Sequence, residues 1–304
     1  MTKLSPEFNR RKFISTATLG SAVLLASPII TSASNLMTTA EPVTVGQIMD
    51  LFIKEVPDAP FPGTVDTLKS GSRDTVVTGI VTTMFATIDV IRKTIALGEN
   101  FIIAHEPTFY NHRDETKWLE NDDVYNYKAN LLKQHNIAVW RNHDDIHSMK
   151  VDAVKNALAG KLGWQQFGDA SQEDVYNLNP ALSLKALINH AKAKLNIPQV
   201  RYVGNLNQVC KKILLFPGAA GGTRQIEALI KYQPDVMLCG EISEWETAEY
   251  VRDANAKGKQ LSLIVMGHIA SEEPGAEFMA QWLQGKFPGV KTTHIPSGNS
   301  LSFM

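Results

Sequence analysis

Cysteine is scarce, with only two in 304 residues, Cys210 just before one predicted strand and Cys239 just after another. In a parallel sheet those positions lie at opposite ends, so no pairing between them is expected even in an oxidising compartment. Charge of either sign is in no excess: 30 Lys and Arg stand against 31 Asp and Glu. With no basic stripe, nothing marks a nucleic-acid partner. No low-complexity tract and no solenoid repeat occurs. A convincing membrane span is missing too, because the apolar run Phe13 to Ile30 is at the short end for crossing a bilayer and is diluted by Ser, Thr and Gly.

That run belongs to a leader. Asn9 to Lys12 holds the adjacent pair Arg10 and Arg11, and Ser32-Ala33-Ser34 gives a small-residue cleavage site. Residues 1–34 resemble a twin-arginine export signal; an uncleaved N-terminal anchor is the other reading. No cysteine follows the apolar run, which argues against a lipid anchor. The expectation is an exported, periplasmic protein with no stable membrane span after processing. Twin-arginine export carries chains that fold first, often with a cofactor seated, and a buried metal site would suit it. The remaining length is enough for one large α/β domain or two smaller ones.

Past the leader, strand and helix periods alternate. Val45 to Lys54 is amphipathic, Thr75 to Thr83 is β-rich, and Ile88 to Leu97 is helical with Gly98 as its stop. Phe101 to Ala104 is a buried strand, and His105-Glu106 stand at its end. Such a β, α, β succession favours parallel pairing. A helix over Asp122 to Gln134 and a strand over Ile137 to Trp140 lead directly into Arg141-Asn142-His143-Asp144-Asp145-Ile146-His147, then a helix over Lys150 to Leu162. In the middle of the chain the one legible element is a helix capped by Ser183. Lys212 to Phe216 then runs through a glycine-rich turn, Gly218 to Gly222, that matches no nucleotide motif. Val236 to Leu238 ends near Glu241 and Glu244, and a last strand covers Val290 to Ile295. Between them Leu261 to Met266 is a strand, and Ala276, Met279, Ala280 and Leu283 fall on one helix face. Ser271 is the expected cap of that helix with Pro274 in its first turn, leaving His268 on the preceding loop.

Three strand ends thus carry imidazoles and carboxylates, at the edge where open α/β sheets bind ligands. These are ligands for Zn, Fe, Mn, Co or Ni, and two adjacent ions need about five or six of them, one a bridging carboxylate. His112, His135, His190 and His294 lie outside the clusters and read as structural or surface residues.

FIIAHEP at Phe101 to Pro107, HDDIH at His143 to His147 and GHIASEEPG at Gly267 to Gly275 resemble the signature blocks of the NIF-three-like dinuclear metal centre family. Those blocks are an apolar strand ending in His-His-Pro, then His-Thr-Asn-Leu-Asp, then Gly-His-Tyr-x-x-Glu-x-x-Gly. Their order agrees, as do Asp66-Thr67-Leu68 and the glycine-rich turn, so the resemblance covers nearly all of the chain past the leader. It implies ligand roles for His105, His268 and Glu272. Glu106 stands where the family has a second histidine and His147 where it has an aspartate, an exchange that keeps the balance of donors. The expected ligands of two divalent ions are therefore His105, Glu106, His147, His268 and Glu272, with Glu272 bridging. His143, Asp144 and Asp145 would orient the imidazoles around them, His143 being a further candidate ligand.

The expected fold is a three-layer α/β arrangement of mostly parallel sheets flanked by helices, with two similar lobes, 35–165 and 166–304, forming one metal cleft. The expected activity is hydrolysis of a small substrate by a metal-bridging hydroxide, with Glu241 or Glu244 as general base. The alternative is a periplasmic metal carrier or metal-insertion partner, distinguished by the lack of an open coordination position with a pocket beside it. A homo-oligomer is also implied by the resemblance.

Overall fold

The computed structural model describes residues 42–302 and Met304; the leader and its cleavage site lie outside them. The first half runs α1 (Val45–Ile53), β1 (Leu68–Ser70), β2 (Ile80–Thr83), α2 (Ile88–Leu97), β3 (Phe101–Ala104), α3 (Asp123–Gln134), β4 (Ala138–Arg141), α4 (Asp144–His147) and α5 (Ala153–Leu162). The second runs β5 (Gly168–Asp169), β6 (Gln172–Ser183), α6 (Leu184–Leu195), β7 (Arg201–Val203), β8 (Val209–Phe216), α7 (Gly222–Tyr232), β9 (Val236–Cys239), α8 (Glu249–Ala256), β10 (Ser262–Val265), α9 (His268–Lys286) and β11 (Thr292–His294).

Two sheets result, one ordered β1-β4-β3-β2-β11 and the other β5-β6-β8-β9-β10-β7. In the first, β11, β2, β3 and β4 are parallel and only β1 runs against them. In the second the parallel centre β8-β9-β10 is flanked by antiparallel β6 and β7. Every residue of β2, β3, β4, β9 and β10 is buried, as expected of parallel strands covered on both faces. This is the expected α/β architecture of two helix-flanked sheets.

Helix α5 joins the cores, with Ala153 and Val154 packing under the first sheet beside Phe52, Trp140 and Met279, and Leu158, Ala159 and Leu162 entering the core of the second. Helix ends follow local chemistry. Thr87 caps α2 through Val90 N, Asp122 caps α3 through Tyr125 N, and Gly98 ends α2 at φ +70°.

Three local expectations are corrected. The last long helix starts at His268, not after Ser271, because Gly267 at φ +99° turns the chain early. Ser271 Oγ instead donates to His268 O and accepts from Gly218 N, and Pro274 lies inside the helix. The segment after β4 is a separate turn, α4, and α5 begins only at Ala153 behind an Asp152 cap. The middle of the chain hides the twelve-residue strand β6. Cys210 and Cys239 are free, buried thiols on neighbouring strands β8 and β9, and burial pushes each up to about 12.

Candidate metal centre

The carboxyl ends of β3 and β4 meet the start of α9, which follows β10. His105 and Glu106 leave β3, His143 precedes the turn of α4 and His147 ends it, and His268 and Glu272 are one turn apart on α9, where i, i+4 spacing aligns them. His268 Nε2 lies 2.9 Å from Glu272 Oε2 and 3.2 Å from Glu106 Oε1. His105 Nε2 is 3.4 Å from Glu272 Oε2, His147 Nε2 3.9 Å from Glu272 Oε1, and His143 Nε2 3.8 Å from Glu106 Oε1. The rings of His105 and His143 stack at 4.9 Å, and His147 is about as close to both, at 5.1 and 5.0 Å.

All four imidazoles are held the same way from behind. His105 Nδ1 donates to Asn142 O (3.2 Å), His143 Nδ1 to Asp144 Oδ1 (2.9 Å), His147 Nδ1 to Asp152 Oδ2 (3.1 Å) and His268 Nδ1 to Glu241 Oε1 (3.0 Å). An oxygen behind each ring fixes its tautomer and aims Nε2 inward, as in metal-ligating histidines. The carboxylates are held too. The fully buried Arg141 donates through Nη2 to Glu106 Oε2 (3.4 Å) and through Nε to His105 O (3.3 Å). Glu272 is packed against Gly218, where a Cβ would fall 2.1 Å from its Oε1.

Burial raises the cost of charge here, but the carboxylates outweigh it at His268. Burial opposes its protonation, yet hydrogen bonds to Glu106, Glu241 and Glu272 hold it up at about 12. Glu272 is driven well below the usual range by His105 and His268 in spite of its own burial. His143 goes the other way, pushed down to about 4 by burial and by the charge of His105. A cluster that clamps a proton this firmly presents the field that would hold a cation in its place.

The residues fit a metal. His105 Nε2 is buried with no hydrogen-bond partner among the described residues, at the centre of the donors. His105, His143 and His147, and likewise His105, Glu106 and Glu272, offer ligand atoms within 4.8 Å of one another. Imidazole and carboxylate together suit transition ions rather than Mg or Ca.

The structure therefore brings together His105, Glu106, His143, His147, His268 and Glu272, with Asp144 and Glu241 behind two of the rings. Asp145 is buried beside Asp66, which accepts from the backbone N of His143 and of Asp145 and so fixes the α4 turn. Burial and the Asp66 charge push its carboxyl up to about 7, and among the described residues its side chain makes no hydrogen bond or ion pair with an imidazole. Glu244 does not reach the centre: it pairs with Arg201 at 2.6 Å on the surface, at the head of a π-helical segment, Glu244–Ala248. The supporting roles of Asp152, Asn142 and Arg141 were not read from the sequence, although Asp152 precedes α5 as a cap and Arg141 stands two residues before His143. His112, read as peripheral, sits 6.2 Å from the His143 ring.

Beside the centre opens a cleft of about 890 Å³ whose lining includes Glu106, Glu241, His268, Phe85, Ile269 and Lys128. Phe85 meets the His268 ring edge-on at 6.2 Å.

A sheet pair with histidines and carboxylates converging between strand ends is what the resemblance implied, and the chain belongs to the Duf34/NIF3 (NGG1p interacting factor 3) family, which it matches over residues 66–299. It is 25% identical over 220 residues to a GTP cyclohydrolase 1 type 2 homolog of Clostridium perfringens, covering 68% of this chain and 78% of that one. A Nostoc homolog of the same description is 23% identical over 207 residues, covering 65% and 74%. Among solved structures, a Staphylococcus aureus hypothetical protein superposes with TM-score 0.70 at 22% identity, covering 87% of this chain and 99% of that one. A Bacillus cereus protein related to NIF3 does so with TM-score 0.70 at 16% identity over the same shares. These likenesses show the fold.

Proposed function

We propose that the protein is a metal-dependent hydrolase of a small substrate, with two divalent ions held by His105, Glu106, His147, His268 and Glu272 and with His143 as an added imidazole. The observation that carries this reading is the set of four rings whose Nδ1 atoms are engaged by oxygen and whose Nε2 atoms converge on two buried carboxylates. Glu272 turns Oε2 to His105 and His268 and Oε1 to His147, the two-sided placement a bridging carboxylate needs. Divalent ions held there would supply Lewis acidity and would lower the pKa of a nearby water toward neutrality.

The chain's own groups prepare the site. Arg141 occupies Glu106 Oε2 and leaves Oε1 to the centre. Glu241 keeps His268 in one tautomer from the cleft rim, where it is also the carboxylate best placed to take a proton from a bound substrate. Phe85 and Ile269 make the adjoining wall apolar. A roomy cleft against the donors supports turnover over the carrier reading, for which a closed site would serve. The name of the curated relatives agrees with a hydrolytic class. Export to the periplasm, from the leader, and homo-oligomer formation, from the family resemblance, belong to the same proposal.

Metal content by plasma mass spectrometry, on protein purified without chelators or an affinity histidine tag, tests it. Near two ions per chain, lost in Glu272→Ala, supports the centre and leads to a phosphoester and amide screen. About one per chain moves the reading to a carrier, and none removes the catalytic proposal.

A further inference from the structure

The cleft wall holds a charge the metal centre does not use. Lys128, on α3, is 4% exposed, and its Nζ donates to Thr108 O beneath the rings of Tyr110 and Phe109, 5.2 and 5.7 Å from their centroids. Among the described residues no carboxylate comes within salt-bridge distance of it; the nearest acidic influence is the more distant Asp114. Beside it the Thr108 hydroxyl is buried without a hydrogen-bond partner. Lysines are almost never buried unpaired, because the desolvation cost is recovered only by an opposite charge. Burial accordingly pushes this ammonium down to about 8. Lys128 and Thr108 line the same cleft as Glu106 and His268, and Phe85, Ile88, Tyr110 and Ile269 fill its wall.

The geometry points to Lys128 and Thr108 as the anchor for an anionic oxygen group, a carboxylate or a phosphate, on a small substrate whose apolar body lies along that wall toward His268 and Glu106. The assignment rests on reading the cleft as the substrate pocket of the proposed hydrolase. The missing counter-charge then arrives with the ligand.

Calorimetric titration of the full chain with benzoate, phenyl phosphate and inorganic phosphate tests this, with metal content counted on the same samples. Binding by wild type, weakened about ten- to hundred-fold in Lys128→Met at equal metal content, is the expected result, that being the worth of a charge-assisted hydrogen bond. Selective binding of benzoate or of phenyl phosphate identifies the group. In wild type the saturating anion also shifts the Lys128 ammonium titration, followed by NMR of labelled lysine, to higher pH; this reading does not depend on the variant folding. Equal affinity in both proteins, an unmoved titration, or no binding of any probe overturns the anchor. Lys128-dependent binding by protein that never holds metal keeps the anchor and discards the metal centre.

Discussion

Gly218→Ala separates backbone strain from damage to the centre, because Gly98 offers a matched control. Both glycines sit at φ +70°, so alanine at either costs about 1–2 kcal/mol for the left-handed conformation. At Gly98 the new methyl meets nothing within 4 Å. At Gly218 it would lie 2.1 Å from Glu272 Oε1 and 2.8 Å from its Cδ, where ordinary contact begins at 3.4 Å. The Glu272 carboxylate must shift by more than an ångström off the position from which it meets His105, His147 and His268, and the overpacking adds about 1–3 kcal/mol. The expected outcome is a Gly98→Ala protein that loses 1–2 kcal/mol in urea unfolding and keeps its metal. Gly218→Ala should lose about 2–5 kcal/mol and bind metal roughly 10- to 100-fold more weakly, as when support around a ligand is disturbed. Chelator competition with a chromophoric indicator measures the second quantity. Equal metal affinity in the two variants would refute the claim that this glycine exists to let Glu272 reach its position.

Two further outcomes are expected. Asp152→Asn keeps a side chain able to cap α5 through Lys155 N but removes the charge behind His147, so stability should change by under about 1 kcal/mol while metal affinity drops roughly tenfold; unchanged affinity in the same competition assay would mean His147 is not a ligand. Lys128 is held at about 8 when folded against 10.5 in the free side chain, so the unfolded chain binds more protons between those values and wild-type stability rises with pH there. The advantage of Lys128→Met over wild type should therefore be full below pH 8 and shrink by about 2–3 kcal/mol toward pH 10.5, measured by urea unfolding across that range. A constant difference would show that the ammonium is not buried as described.

The part of the centre written in local order was legible. A histidine within three residues of the end of a buried four-residue strand, repeated at three strands, needs only the rule that ligands gather at carboxyl edges. The helix start at His268 was not, because Ser271 looks like a cap by itself and only the tertiary approach of Gly218 diverts its hydroxyl. Strand β6 was missed because its residues are mostly polar or partly exposed and include Pro180, so neither a buried run nor a clean alternation marks it. Asp66 and Arg141 act through partners distant in sequence: Asp66 bonds to backbone 77 and 79 residues on, and Arg141 to a glutamate 35 residues back. Glu241 and Glu244 looked equivalent as strand-end acids. Which faces inward depends on how the chain winds through the π-helical segment, and that has no sequence pattern.

The seating of β11 beside β2 ties together parts of the chain made far apart in time. Thr82 in β2 donates to Ala276 O, 194 residues later, and contacts His294, 212 residues later. A chain emerging from the ribosome has His105, Glu106, His143 and His147 long before it has His268 and Glu272. It can complete neither the first sheet nor the donor set until α9 and β11 have been made, and such distant pairings are the slow ones to form. Under the proposed function, metal capture would therefore belong to the finished fold, and the compartment surrounding the protein when α9 docks would set which ions are on offer.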